Sequence, residues 1–223
     1  MTQPRGQRRR RTKVGDPVLL LPPKTFESVT PSFVIRSPGW AVQRVYSPEP
    51  FDTQALTFRS FGPLNRFDHH RGDPATKRAC EDPERAILYA GDGLVCCLGE
   101  FFADSHEIAV DGTMVAMLRA AREVVVLDLR GTRATGVGTT PALSAISQRR
   151  VTQAWARYLY EHPDLSGVDG LLYSASNSGD DALAFFERAT GALDIAADLD
   201  LGDPRIAGEL EIAADALHWS IAR

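Results

Sequence analysis

Apolar residues along this chain come in short runs, most of strand length and closed by glycine, proline or charge. "WAVQRVYS" alternates with period two, as a strand does. "ALTFRSF" is a short β-type run ended by Gly62 and Pro63, and "AILYAG" is a buried-type strand closed by "GDG". "TMVAMLRA" and "EVVVLDLR" read as two more strands, with a turn near Ala121 and Arg122. "GVDGLLYSAS" is a strand that runs into a polar turn, and "DALAFFERA" fits either a strand or a short helix.

Helical spacing is rarer. Asp92 is a candidate N-cap for a helix through "GLVCCLGEFFAD", where Leu94, Cys97, Leu98 and Phe101 share a stripe. "TTPALSAIS" and "SQRRVTQAWARYLYEHP" also read as helices. In the second, Val151, Ala154, Trp155, Tyr158 and Leu159 make an apolar face and Pro163 is the stop. A charged loop of roughly twenty residues follows Pro63, a length often given to binding loops. The organisation expected is a basic arm over 1–16, an extended lead-in with short strands over 17–54, a main domain over 55–190 and a closing strand or helix over 191–223. Strands and helices alternate irregularly, which predicts a single α+β domain rather than a doubly wound sheet. No G-x-G-x-x-G follows a strand and no P-loop is present, so neither familiar nucleotide-binding turn is supported.

Charge and cysteine content narrow the picture. The net charge is −4, but residues 1–16 alone carry +5, which leaves −9 on the rest. A short arm without interleaved aromatics on an acidic body argues against a nucleic-acid binder. No apolar run approaches the roughly 20 residues of a membrane span, and "VLLLPP" is too short for a signal core, so a cytoplasmic protein is expected. Cys80, Cys96 and Cys97 form no disulfide framework and no zinc spacing. His69 and His70 are adjacent, and neighbours on a strand point apart, so no metal site is expected; no residue pattern calls for a bound cofactor either.

Several polar residues interrupt apolar runs: Arg59, Arg66, Tyr89, Glu100, and Ser174 with Ser176. Burial without partners would cost each about 1–3 kcal/mol, so the series points to a shared polar pocket. Taken singly, each has a plainer reading: a salt-bridged Arg59, a core Tyr89, a solvent-facing Glu100, a serine-rich turn.

Three segments carry a resemblance: "FRSFGPLNRFD", "RAILYAGDGLVCCLGEFFAD" with eleven residues from Tyr89 to Glu100, and "DGLLYSASNSGDDALAFFERA". In that order, across roughly 55–190, they resemble the RES domain family, named for its Arg, Glu and Ser. The resemblance maps Arg59 and Glu100 onto the family's arginine and glutamate, Tyr89 onto its tyrosine and Arg66 onto a second basic element. The family's serine falls at Ala175, flanked by Ser174 and Ser176, either of which could take the role. It implies a fold similar to ADP-ribosyltransferases, a split mixed sheet with flanking helices around an NAD cleft. It also implies a toxin that degrades NAD as substrate, by hydrolysis or phosphorolysis, and a cognate antitoxin as partner. On that reading Arg59 and Arg66 grip the pyrophosphate, because a guanidinium fork suits it. Tyr89 and Asn177 address the nicotinamide and ribose end, Ser174 or Ser176 orients, and Glu100 stabilises an oxocarbenium-like state. Other readings stand beside it: a RES-like binding module without turnover, ADP-ribosyl transfer to a macromolecule, and an unrelated α+β domain. Self-association stays open.

Overall fold

The computed structural model describes residues 21–222; the expected basic arm over 1–16 lies outside the described residues. In chain order the elements are β1 (Phe33–Arg36), β2 (Ala41–Tyr46), β3 (Phe61–Gly62), β4 (Cys80–Glu81), β5 (Ile87–Gly91) and α1 (Leu94–Phe101). Then come β6 (Glu107–Ala109), β7 (Met114–Ala120), β8 (Val124–Asp128) and α2 (Arg149–Glu161). The chain ends with β9 (Gly170–Ser174), β10 (Asp181–Phe186), β11 (Leu193–Asp200), α3 (Ala207–Leu217) and β12 (Ser220–Ala222). This is the mixed α+β architecture expected.

Eight strands form one sheet in the order β1-β8-β9-β10-β5-β2-β7-β11, and β3-β4 and β6-β12 are two-stranded pairs. Within the large sheet β8 and β9 run parallel and the other neighbours antiparallel. The sheet is nearly two. Strands β2 and β5 meet through the pair Gln43↔Gly91, whereas β2 and β7 pair along all of Ala41–Tyr46. Gly91 is required at that joint, since a Cβ there would lie 2.7 Å from the Cys96 sulfur. The two ladders therefore splay beyond the joint, and the cleft opens between them.

Apolar burial holds each layer. Trp155, Leu159 and Tyr158 of α2 pack on Leu127, Leu171 and Phe186 on one face of the sheet. Leu88, Leu118, Leu183 and Phe185 fill the other face. Leu98 of α1 and Leu210 of α3 share a third cluster with Ile108 and Leu201. Burying side chains of this size contributes roughly 1.5–3 kcal/mol each.

Several expectations need correction. Helix α1 begins after Gly93 with no side-chain cap; the Asp92 amide instead donates to Asp181 O, 2.9 Å away, extending the β5–β10 ladder. Phe101 leaves the predicted stripe and is 43% exposed, while Cys96 and Cys97 are both buried, because α1 packs on two sides. "TTPALSAIS" forms turns and one short 3-10 segment at Leu143–Ala145 rather than a helix. "ALTFRSF" yields a bridge Arg59↔Ile87 and the two-residue β3. "DALAFFERA" is a strand followed by a 3-10 turn, and the tail provides an edge strand as well as a helix. The loop after Pro63 is no detached flap: Phe67, Asp68, His69 and His70 are all fully buried.

Candidate active site

The splay between β2 and β5 opens a cleft of about 930 Å³, walled by Arg44 and Tyr46 on one side and Tyr89 and Cys96 on the other. Arg59, Arg66, Glu100 and Ser176 also line it. Among the described residues no group of three or more His, Cys, Asp or Glu side chains is placed to hold a metal ion.

Glu100 sits in the last turn of α1, one residue before its end. Its Oε1 accepts from the Ser176 amide at 3.0 Å and the Ser176 hydroxyl at 3.2 Å, across from the turn that follows β9. The Arg66 guanidinium reaches the same hydroxyl at 3.4 Å and is anchored on Ile146 O at 2.6 Å. Burial, then the charge of Glu100, pushes the thiol of Cys96 up to about 12, so it is a neutral packing group. Ser174 and Asn177 do not line the cleft. Ser174 pairs with Asp181 at the end of β9, and the Asn177 amide donates to Gly99 O at 2.6 Å, tying the turn to the helix that carries Glu100. Ala175 is buried.

Arg59 is already partnered. Its Nη2 lies 2.8 Å from both oxygens of Asp68, a residue the motifs did not single out. Asp68 also accepts from the Leu64 amide, from the Asn65 amide at 2.9 Å and from the Tyr89 hydroxyl at 2.7 Å. Burial would raise this carboxyl, but Arg59 and the two amides outweigh it and hold it below its ordinary value. Burial, with the Asp68 charge beside it, keeps the Tyr89 phenol well above its own. The tyrosine therefore spends its proton on Asp68 and offers the cleft its ring.

The second missed residue is Arg44. It is 9% exposed, yet among the described residues its Nη1 donates only to the carbonyls of Ala55 at 3.0 Å and Thr57 at 2.9 Å. Burial lowers this guanidinium to about 10. Arg44 and Arg66 thus hydrogen-bond neutral groups, whereas Arg59 is neutralised by Asp68 and the rim residue Arg149 faces Asp104 at 3.6 Å. Anionic ligand groups would meet the first two. In sequence Arg44 shares the strand face of Trp40, Val42 and Tyr46, where an arginine is out of place; the carbonyls that meet it belong to Ala55 and Thr57, on a segment whose path no local pattern encodes.

Fold and cleft together define an α+β protein with a cleft at a split in its sheet, lined by arginines and a glutamate among apolar and aromatic side chains. The model of the RES domain matches residues 40–205, and the chain belongs to that family. A chain of the M. tuberculosis MbcT–MbcA toxin–antitoxin complex, known from its crystal structure, superposes with a TM-score of 0.52. The alignment covers 79% of this chain and 92% of that one at 17% identity, a likeness of fold. No curated protein matches the sequence. Among the described residues no helix is long and apolar enough to cross a membrane.

Proposed function

We propose that this protein cleaves the N-glycosidic bond between nicotinamide and ribose in NAD, and that it is the toxin of a toxin–antitoxin pair. The observation that carries the chemistry is the Glu100 carboxylate, held through one oxygen by Ser176 inside a cleft that also presents two guanidiniums whose hydrogen-bond partners, among the described residues, are neutral. Nicotinamide leaves with the bonding electrons as a neutral base, and the ribosyl carbon becomes oxocarbenium-like. A fixed carboxylate beside that carbon stabilises the developing charge without reorganising. Both Ser176 bonds fall on Oε1, which leaves Oε2 for the ribose. Arg44 and Arg66 supply the donors for the pyrophosphate, and the Tyr89 ring packs beside the leaving base. Water or phosphate then adds to the ribosyl carbon.

Family membership and the likeness to a toxin–antitoxin complex support the biological half of the reading. So does the rim: Phe51 is 85% exposed, and Phe61, Leu64 and Phe101 are 41–43% exposed around the cleft. Apolar groups clustered at a cleft mouth mark a surface that a partner covers, here an antitoxin. Nicotinamide release from NAD by purified protein, with and without phosphate, tests the enzyme. Glu100→Gln is expected to abolish release, and phosphate dependence names the acceptor. Release that persists in Glu100→Gln refutes the assignment.

A further inference from the structure

We propose that Asp68 is a positioning residue of the cleft. It fixes the direction of the Tyr89 hydroxyl and cancels the charge of Arg59, so that a dinucleotide meets the tyrosine ring and the guanidiniums of Arg44 and Arg66. The inference rests on the NAD-cleaving reading above and gives a role to a residue to which the family resemblance assigns none.

The Asp68 side chain is 0% exposed. Both of its oxygens take Nη2 of Arg59, and it further accepts two loop amides and the Tyr89 hydroxyl. An ionised carboxylate can only accept, so the phenol must be the donor. The Phe67 amide donates to the same phenol oxygen at 3.3 Å, which occupies it from a second side. Tyr89 is pinned at its far end, and its proton is withheld from any ribose hydroxyl. A buried ion pair contributes little to stability as such. This one joins two cleft residues on different segments, Arg59 before the loop and Tyr89 on β5, through the loop that also carries Arg66.

Asp68→Asn tests the proposal. It removes the countercharge from Arg59 and leaves a single acceptor oxygen to be shared between the Tyr89 hydroxyl and the two loop amides, so the direction of the hydroxyl is no longer fixed. The expected result is a kcat for nicotinamide release lowered tenfold or more, with KM for NAD unchanged or lower. ADP-ribose should bind at least threefold tighter than to the parent, most clearly at low salt, because Arg59 becomes an additional free cation. A residue with a structural role alone would lower activity in proportion to the folded fraction and would not tighten binding. Tyr89→Phe, which leaves Asp68 its other donors, should lose kcat similarly, and the double variant no more than the worse single. Losses that multiply, a KM that rises, or ADP-ribose affinity that is unchanged or weaker would overturn the proposal. Should Asp68→Asn fail to fold, Tyr89→Phe decides it, and turnover within twofold of the parent would be the contrary result. A parent that releases no nicotinamide, while Asp68→Asn still tightens ADP-ribose binding, would sink the enzymatic reading and leave Asp68 its role.

Discussion

Two side chains two residues apart make opposite predictions. Ser176 donates its hydroxyl to Glu100, and Ser174 ends β9 away from the cleft lining. Ser176→Ala removes one of the two bonds on Oε1 and the hydroxyl that Arg66 reaches. A hydrogen bond to a charged group is worth about 1.5–3 kcal/mol, so nicotinamide release should fall about 10- to 100-fold. Ser174→Ala should stay within about twofold by the same arithmetic, and the reverse order would mean that the turn acts through the other serine. Arg44→Gln should raise KM for NAD by about tenfold with a smaller change in kcat, as expected when a ground-state contact is lost. Glu100 and Tyr89 were legible as candidates because each interrupts an apolar run. The serine was legible to within a residue, since a turn's direction depends on what it packs against. Asp68 was not legible: "RFDHHR" reads as a charged loop, and its burial depends on α2, some eighty residues later in the chain.

At the scale of elements, α2 does more than cover the sheet. Its apolar face was readable from helical spacing. Its polar stripe was not, because Arg149, Gln153 and Arg157 look like an ordinary solvated face. They donate to Leu64 O at 3.4 Å, Asn65 O at 2.9 Å and His70 O at 3.3 Å, and so hold the loop that carries Arg66 and Asp68. Gln153 is 9% exposed, so its loss leaves the Asn65 carbonyl without that donor in a nearly dry site. Gln153→Leu should destabilise the fold by about 1–3 kcal/mol. It should also speed hydrogen exchange at residues 64–70 more than in the sheet, because the loop opens before the core does. Uniform acceleration across all elements would show that the stripe does not act on the loop. Most strands were legible for the complementary reason: β5, β8 and β9 are buried-type runs whose apolar character is local, whereas the run of β10 fitted a strand or a short helix equally. Asp92 and "TTPALSAIS" misled because tertiary hydrogen bonds and turns overrode local preference.

At the scale of the whole molecule, strand order was the least legible property. Nothing local tells β2 to meet β5 through one residue pair, yet that joint decides where the cleft lies. The same long-range packing buries titratable groups and makes the fold sensitive to acid. His69 and His70 are both 0% exposed, and burial lowers each below its ordinary 6.5. Burial would raise Glu187, but hydrogen bonds from His69 and Tyr160 outweigh it and bring the carboxyl from 4.5 to about 2. The sign is the same for all three groups. A depressed folded value means that the unfolded chain binds protons first, so stability present at neutral pH is lost as pH falls. The first loss should begin near pH 6.5, where the unfolded histidines protonate, and the second should run from about 4.5 down to about 2 with Glu187. Denaturant unfolding at neutral, mildly acidic and strongly acidic pH should therefore give a two-step decline. Glu187→Gln should lower stability at neutral pH by roughly 1–2 kcal/mol, allowing for solvent screening, and flatten the second step. A second step of unchanged size in that variant would assign the acid limb to Asp68 and the other paired carboxylates instead of the His69–Glu187–Tyr160 contact.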